Sequence, residues 1–569
     1  MRLFFILLIA GFGGYLGFAP RELTHTAKQA PKPVTMFCSP SFERKPMGEG
    51  QAPLINGLGN LQYKITTSSA QAQTFFNQGL TLVYAFNHGE AERSFRQVLR
   101  FDPTSAMGYW GLAMVLGPNY NAGLNPALLD EINHVLDSAA KYSVNATEKE
   151  KGLIAAMRAR FPRAPVDDMA PYANAYAKAM ESLHKSFPDD TDIAVLYADA
   201  MMNEHPWNLW LKDGTAQPWT PPIVAVLEQI LAKSPNHPGA CHFYIHTMEA
   251  SRVAHRALPA ANKLRTMLPA AGHLLHMPSH IDIRVGQYHE GVVANEIASA
   301  ADSSYIAQCK AQGSYPLYLY PHNIHFLAAC AFLEGNSRKA MEAAWKIARN
   351  ADPKSLQELA TIQHFYSIPY FTMVHLAKWD ELLQLQSPAE SLLYPRAVWT
   401  YATGMAYAAK GKMQEANENL KQLKKTLSDE SLKKLLIWDM NSAHDIASIA
   451  ANVLEAEILA LSGQHDKAVT LLTAAVDIED KLMYQEPPDW FFSTRHSLGH
   501  VLNQAGRFVE AEKVYRDDLI ILPKNGWALR GLYNSLLGQN KKQEAAEVMK
   551  QFRQAWKWAD MEIESSRKY

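Results

Sequence analysis

Residues 72–105 read AQTFFNQGLTLVYAFNHGEAERSFRQVLRFDPTS. Within this stretch Gly79, Ala91, Phe95 and Pro103 stand 12, 4 and 8 residues apart, and Gly499, Ala511, Tyr515 and Pro523 keep the same intervals near the other end of the chain. Gly404 with Ala416 and Leu420, and Ala456 with Ala468 and Leu472, repeat the first two intervals. These spacings suit a helix-turn-helix unit: a small residue lets two antiparallel helices touch, a second faces it from the partner helix, and proline closes the unit. Gly335, Gly411, Gly463 and Gly506 mark the turn inside the unit, each followed five residues later by alanine (Ala340, Ala416, Ala468, Ala511). Glycine ends a helix there at no steric cost.

Aligning the small, turn and closing residues gives unit starts near Ala72, Ala106, Pro238, Gly272, Pro321, Ala397, Ile449, Phe492 and Gly526, with 72/106, 238/272 and 492/526 each 34 residues apart. This pattern resembles the tetratricopeptide repeat (TPR). The resemblance implies an all-α, TPR-type helix-turn-helix solenoid, a right-handed superhelix with irregular insertions. Alternating β-branched runs bounded by turns are absent, so no sheet beyond a stray hairpin is expected. The strings Phe75-Phe76-Asn77-Gln78-Gly79, Ala85-Phe86-Asn87-His88 with Glu90, Gly117-Pro118-Asn119, His276-Met277-Pro278-Ser279-His280 and Asn525-Gly526-Trp527 are similar to those of a widespread bacterial family of exported TPR proteins, over nearly all of the chain after about residue 50. That likeness implies the fold and leaves function to the residues.

Composition narrows the partners. The chain has 569 residues, 48% hydrophobic and 20% charged, with 55 Lys plus Arg against 56 Asp plus Glu. Such a balance gives no global field to hold a polyanion, so nucleic acid is not an expected partner. Arg2 precedes an apolar run from Leu3 to Ala19 that reads as an export signal or membrane anchor, which places the chain outside the cytoplasm, in a periplasmic or similar space. Residues 20–69 then form an extended segment, 70–236 TPR-like helices with inserted loops, 237–355 a histidine-rich core, and 356–569 the C-terminal units. The stretches 119–236 and 351–396, with His205-Pro206-Trp207 and Gln217-Pro218-Trp219, read as inserted loops and degenerate helix pairs. Cys38, Cys241, Cys309 and Cys330 lack the density of a disulfide scaffold and predict no particular bridge.

Ten of the 21 histidines lie between His237 and His325. His242, His246 and Glu249 share one helical face, as do His273, His276 and His280, and His322 with His325. On a register defined without histidines, His242 and His276 fall at position 5 of successive units, His246 and His280 at position 9, Glu249 at 12, His273 and His322 at 2, and His325 at 5. Those positions form the stripe that TPR units turn toward their concave groove, so the side chains are expected on one patch. Three readings compete. Neutral imidazoles with a carboxylate suit a transition metal, Zn, Fe, Mn or Cu, and more than four donors allow two ions. A groove for a peptide, protein or small molecule is the second, and satisfied core histidines the third. Pro278 falls inside the helix, which predicts a kink or a helix start there. Asp199, in Tyr197-Ala198-Asp199, falls at position 9 of a similar helix and joins the candidates; Asp282, Asp302, Arg284, Tyr244, Tyr288, Tyr318 and Tyr320 read singly as core packing or surface pairing and as a set as outer partners of the imidazoles. No phosphate-binding loop, dinucleotide signature, nucleophile elbow or His-Glu-x-x-His is present. His88 with Glu90 and Glu92, His496 with His500, and Trp490-Phe491-Phe492 read as packing elements.

Overall fold

The computed structural model describes residues 52–311, 313 and 315–568, which excludes the apolar run at 3–19 and Cys38. Helix pairs dominate them. Ala70–Tyr84 pairs with His88–Phe101, Leu393–Ala409 with Met413–Leu427, Ala443–Leu461 with His465–Glu479, Thr494–Gln504 with Phe508–Ile521, and Gly526–Gly538 with Lys542–Ala555. Among the described residues the strands are one hairpin, Leu436–Ile437 with Asn441–Ser442, and no helix is long and apolar enough to cross a membrane.

The repeated intervals have a direct packing cause. A Cβ on Gly79 would stand 2.8 Å from the Phe95 ring and one on Gly111 2.4 Å, so Phe95 fills the space that two glycines leave, one in its own unit and one in the next. Tyr515 sits in the same way between Gly499 and Gly531, at 2.4 and 2.1 Å. The Phe75-to-Gly79 string is also a clamp. Gln78 accepts from the Ile55 amide (2.9 Å), Asn77 from Tyr63 (3.1 Å) and Gln73 from Ile65 (3.0 Å), which fixes the non-helical lead-in against the first helix.

The two stretches read as inserted loops and degenerate helix pairs contain well-formed helices. Residues 147–233 contain Glu148–Ala159 and Ala170–Ser186, then Thr191–Glu204 and Thr220–Lys233. The first of these helices starts at a capping box, Thr147 with Glu150, and the third at the Asp190 cap. In 351–396, Ala360–His375 runs on through an internal Pro369. Cys241, Cys309 and Cys330 are free thiols.

The last units pack back on the central ones. Trp527 Nε1 donates to the Phe332 carbonyl (3.2 Å), Tyr288 Oη to that of Pro523 (2.7 Å) and Arg284 to that of Ile521 (3.0 Å). The Asp560 carboxylate accepts from the amides of Ser337 (2.7 Å) and Arg338 (3.0 Å). Gly286, at φ +72°, permits this closure, because a Cβ there would meet the Pro523 carbonyl oxygen at 2.3 Å. The irregular segment between His465–Glu479 and Thr494–Gln504 is thereby laid over the histidine-rich core.

Candidate metal centre

His242 and His246 stand on the helix Pro238–Met248, with Glu249 as its C-cap. Pro278 divides the next first helix into Gly272–His276 and Pro278–Val285. Met277 keeps helical angles at the join, so His273 and His276 lie on a short helix rather than a lead-in loop, and His280 follows on the same side. His322 and His325 come from Tyr320–Leu333. The stripe is not an open groove surface: His242 and His276 are 0% exposed, Glu249 1% and His246 3%, and only His322 is half-buried.

The structure sorts these residues into two triads. One ligand atom from each of His242, His246 and His273 lies within 4.8 Å of the other two, and the same holds for His276, His280 and His322. Glu249 joins them from behind: its Oε1 accepts from His246 Nδ1 (2.9 Å), and its Oε2 lies against His280 Nδ1. His325 belongs to neither triad; it stacks on Phe491 and faces His364.

Hydrogen bonds at Nδ1 set the tautomers. His242 Nδ1–H donates to the Tyr84 carbonyl (2.7 Å) and His246 Nδ1–H to Glu249. His276 Nδ1–H donates to Asn295 Oδ1 (2.7 Å), whose amide group donates to Gly291 (2.8 Å). A neutral imidazole carries one proton, so Nε2 of all three is a bare lone pair. Two of these lone pairs point at another imidazole nitrogen: His242 Nε2 at His273 Nε2 (3.1 Å), and His276 Nε2 at His280 Nε2 (2.9 Å). The third, on His246, is buried without a partner. Two nitrogens each about 2.0–2.1 Å from one ion stand roughly 3 Å apart.

Electrostatics keep most of these rings neutral. Burial holds His242, His273, His276 and His322 well below the usual imidazole range, aided by neighbouring histidines. Burial lowers His246 too, against the opposing pull of Glu249. His280 is the exception: burial would lower it, but Glu249 and Glu486 raise it to about 9. Glu249, which burial alone would raise, is drawn down to about 2 by His280 and His246.

Several contributors carry no histidine signal. Glu486 reaches the centre from the overlaid segment, with Oε2 3.2 Å from His280 Nδ1, and forms a third donor group with Glu249 and His280. Arg284 Nε lies 3.6 Å from Glu486 Oε1. Three aromatic residues close the centre from other sides. Phe86 packs against His242, His246 and His273 with centroids 4.5, 5.6 and 5.8 Å away, Trp207 against His246 (5.7 Å), and Trp438 against His322 (5.7 Å). All three have left-handed backbones, φ 52°, 58° and 53°. Bulky residues adopt that conformation at a cost of about 1–3 kcal/mol, and such strain gathers at functional sites. Phe86 precedes Ala91 by five residues and so holds the turn position that Gly335, Gly411, Gly463 and Gly506 hold elsewhere, all at positive φ. The Pro-Trp elements resolve likewise: Trp207 faces His246, and Trp219 stacks on His205 at 3.8 Å. The Trp490-Phe491-Phe492 string packs from the overlaid segment rather than from a helix, with Phe492 against Phe332 at 3.7 Å.

No protein-family model matches the chain, and no curated protein does. Solved structures similar to it include the human IFIT1 dimer with m7Gppp-AAAA, at 13% identity and TM-score 0.33, covering 80% of this chain and 91% of that one. The APC/C hetero-tetramer Cut9-Hcn1 is another, at 12% identity and TM-score 0.28, covering 86% and 74%. At these values nothing about ligand or partner carries over. The fold stands on the chain's own helix pairs: an all-α, TPR-like solenoid.

Proposed function

We propose that this chain is a metalloprotein that holds two transition-metal ions, one in each imidazole triad, with Glu249 orienting one imidazole of each from behind. The observation that carries this reading is the set of Nδ1 hydrogen bonds that leave the Nε2 lone pairs of His242, His246 and His276 turned inward. Without a cation, the His276–His280 contact needs a proton on His280 Nε2. As an imidazolium, the form that Glu249 and Glu486 favour, His280 meets both contacts without an ion; as a neutral ring it would face the two carboxylates with its own Nδ1 lone pair. A cation in each triad satisfies all of these nitrogens at once. Carboxylate or carbonyl partners on the far nitrogen of metal-bound histidines are the usual supporting arrangement.

All-imidazole sets favour copper or zinc over manganese, and three protein ligands leave a position open for water or substrate. An ion so held supplies Lewis-acid chemistry, or redox chemistry if it is copper or iron. A peptide or protein held on the same stripe would need that stripe open, whereas seven of its eight residues are buried. The apolar run Leu3 to Ala19 supports an extracytoplasmic setting, which fractionation of the native host tests.

Mass spectrometry of tag-free protein, after exposure to zinc or copper and removal of loose metal, is expected to find two ions per chain. His246→Ala and His276→Ala should each retain about one. Protein that keeps no ion from either metal would refute the proposal.

A further inference from the structure

A chamber of about 720 Å³ adjoins the second triad, with Glu486 and Arg284 in its wall. Its charged lining sorts by depth. The exposed members are Lys212, Arg252, Lys481 and Asp213, whereas the buried ones are the carboxylates Glu486, Asp489 and Asp518 and the imidazole of His496, whose Nε2 lies 3.0 Å from Asp518 Oδ2. The half-buried cations between them are already engaged. Arg495 makes two bonds to Asp480 (3.0 and 2.6 Å), and Arg284 donates to the Ile521 carbonyl. At the mouth, Lys212 donates to the carbonyl of Leu482 (3.1 Å).

Polar atoms on the inner wall lack protein partners. Asp489 accepts from Asn441 through Oδ2 (2.7 Å), but its Oδ1 is buried and unmatched, as are Trp490 Nε1, His496 Nδ1 and Asp518 Oδ1. Native proteins leave few such groups unless a ligand or water meets them. Trp207, Trp490 and Phe491 also line the same space. Burial pushes the Asp489 carboxyl up to about 7, against the opposing pull of the Asn441 hydrogen bond and the Lys212 charge.

We propose that this chamber binds a small primary ammonium compound with an aromatic or aliphatic tail, its head group at Asp489 Oδ1 and its tail on Trp490 and the neighbouring rings. Its placement beside a working centre rests on the metal reading; the binding itself does not. An ammonium group supplies the hydrogen-bond donors and the positive charge that the unmatched oxygens Asp489 Oδ1 and Asp518 Oδ1 lack, and nearby aromatic rings attract it further. A carboxylate ligand would meet three buried carboxylates, and a neutral alcohol would donate one proton without balancing charge.

Calorimetric titration of the full chain with phenethylamine, 2-phenylethanol and phenylacetate tests this, with metal content measured on the same samples. Phenethylamine should bind most tightly and phenylacetate not at all. Asp489→Asn should weaken phenethylamine by about tenfold or more while leaving metal content unchanged. The proposal is overturned by 2-phenylethanol binding as tightly as phenethylamine, by an unaltered affinity in Asp489→Asn, or by phenethylamine giving no saturable heat. Should Asp489→Asn fail to fold, the preference of the native chain for ammonium over alcohol decides. Metal-free protein that still binds phenethylamine keeps the chamber and removes the metal reading; metal-loaded protein that does not bind it removes the chamber alone.

Discussion

Replacing Glu249 by glutamine separates an orienting carboxylate from a coordinating one. The native side chain has two acceptor oxygens, one 2.9 Å from His246 Nδ1 and one against His280 Nδ1, and so serves one imidazole in each triad. Glutamine keeps a single acceptor and turns an NH2 group toward the other ring. If that ring is His246, it must then accept at Nδ1 and carry its proton on Nε2, where it blocks the lone pair meant for the ion, whereas His280 keeps Glu486 as an acceptor 3.2 Å from its Nδ1. One triad keeps three inward lone pairs and the other falls to two. Loss of such an outer partner weakens metal binding about 10- to 100-fold, or roughly 1.4 to 2.8 kcal/mol. The same amount should disappear from the metal-dependent part of the unfolding free energy at saturating ion, because a ligand stabilises the folded chain in proportion to the logarithm of its affinity. Competition against a chromophoric chelator should therefore show two similar ions in the native chain, and one retained and one weakened ion in Glu249→Gln. Two unaffected ions would refute the orienting role. Loss of both together would make Glu249 a shared ligand instead.

Phe86→Gly relieves a left-handed backbone worth about 1–3 kcal/mol but removes a buried ring worth about 3–5 kcal/mol, so chemical denaturation should show a net loss of at most about 4 kcal/mol; a loss of about 5 kcal/mol or more would mean the turn is unstrained. Gly531→Ala puts a methyl group 2.1 Å from the Tyr515 ring and should cost about 1–3 kcal/mol in the same assay, and a neutral result would count against the shared-ring account of the repeat. Asp199 is buried, which raises its carboxyl to about 6 despite the nearby Arg160. Because the folded value lies above the ordinary carboxyl value of about 3.9, its contribution to stability is full below that pH and is lost as pH rises through about 6. Asp199→Asn should thus stabilise the chain at pH 7.5 by about 1–3 kcal/mol and change little at pH 4; equal effects at both pH values in thermal unfolding would contradict the shift.

The helix pairs were legible because the intervals among Gly79, Ala91 and Phe95 are a packing rule, a large apolar side chain against a small residue of the partner helix, filled by rings at Phe95 and Tyr515, a position that Leu420 and Leu472 hold in other units. Residues 147–233 fold into helices without those glycines, so their pairs lacked the signal, although the Thr147–Glu150 capping box was there to be read. Register placed His242, His246, Glu249, His276 and His280 on one patch with His273, His322 and His325 at its margin; in the structure His273 and His322 stand inside the two triads, and a helix turn sends His325 to Phe491 while His322 faces His276. Glu486 was out of reach altogether. It lies 206 residues beyond His280 and arrives through contacts between distant units, which no local period encodes. Phe86 did leave a trace: a bulky residue five before Ala91, in the place glycine takes in four other units.

The overlay of residues 484–493 on the histidine-rich core also sets a schedule. At a synthesis rate of about 5–20 residues per second, the 164 residues from His322, the last triad imidazole, to Glu486 take roughly 8–33 s to emerge. A chain folding as it is made therefore has all six triad imidazoles well before it has the carboxylate and rings that cover them. Any ion captured in that interval meets an uncovered site, with its histidines exchanging freely against water and competing chelators. Covering then traps what is already present. The compartment in which the last hundred residues arrive would choose the metal as much as the donor set does.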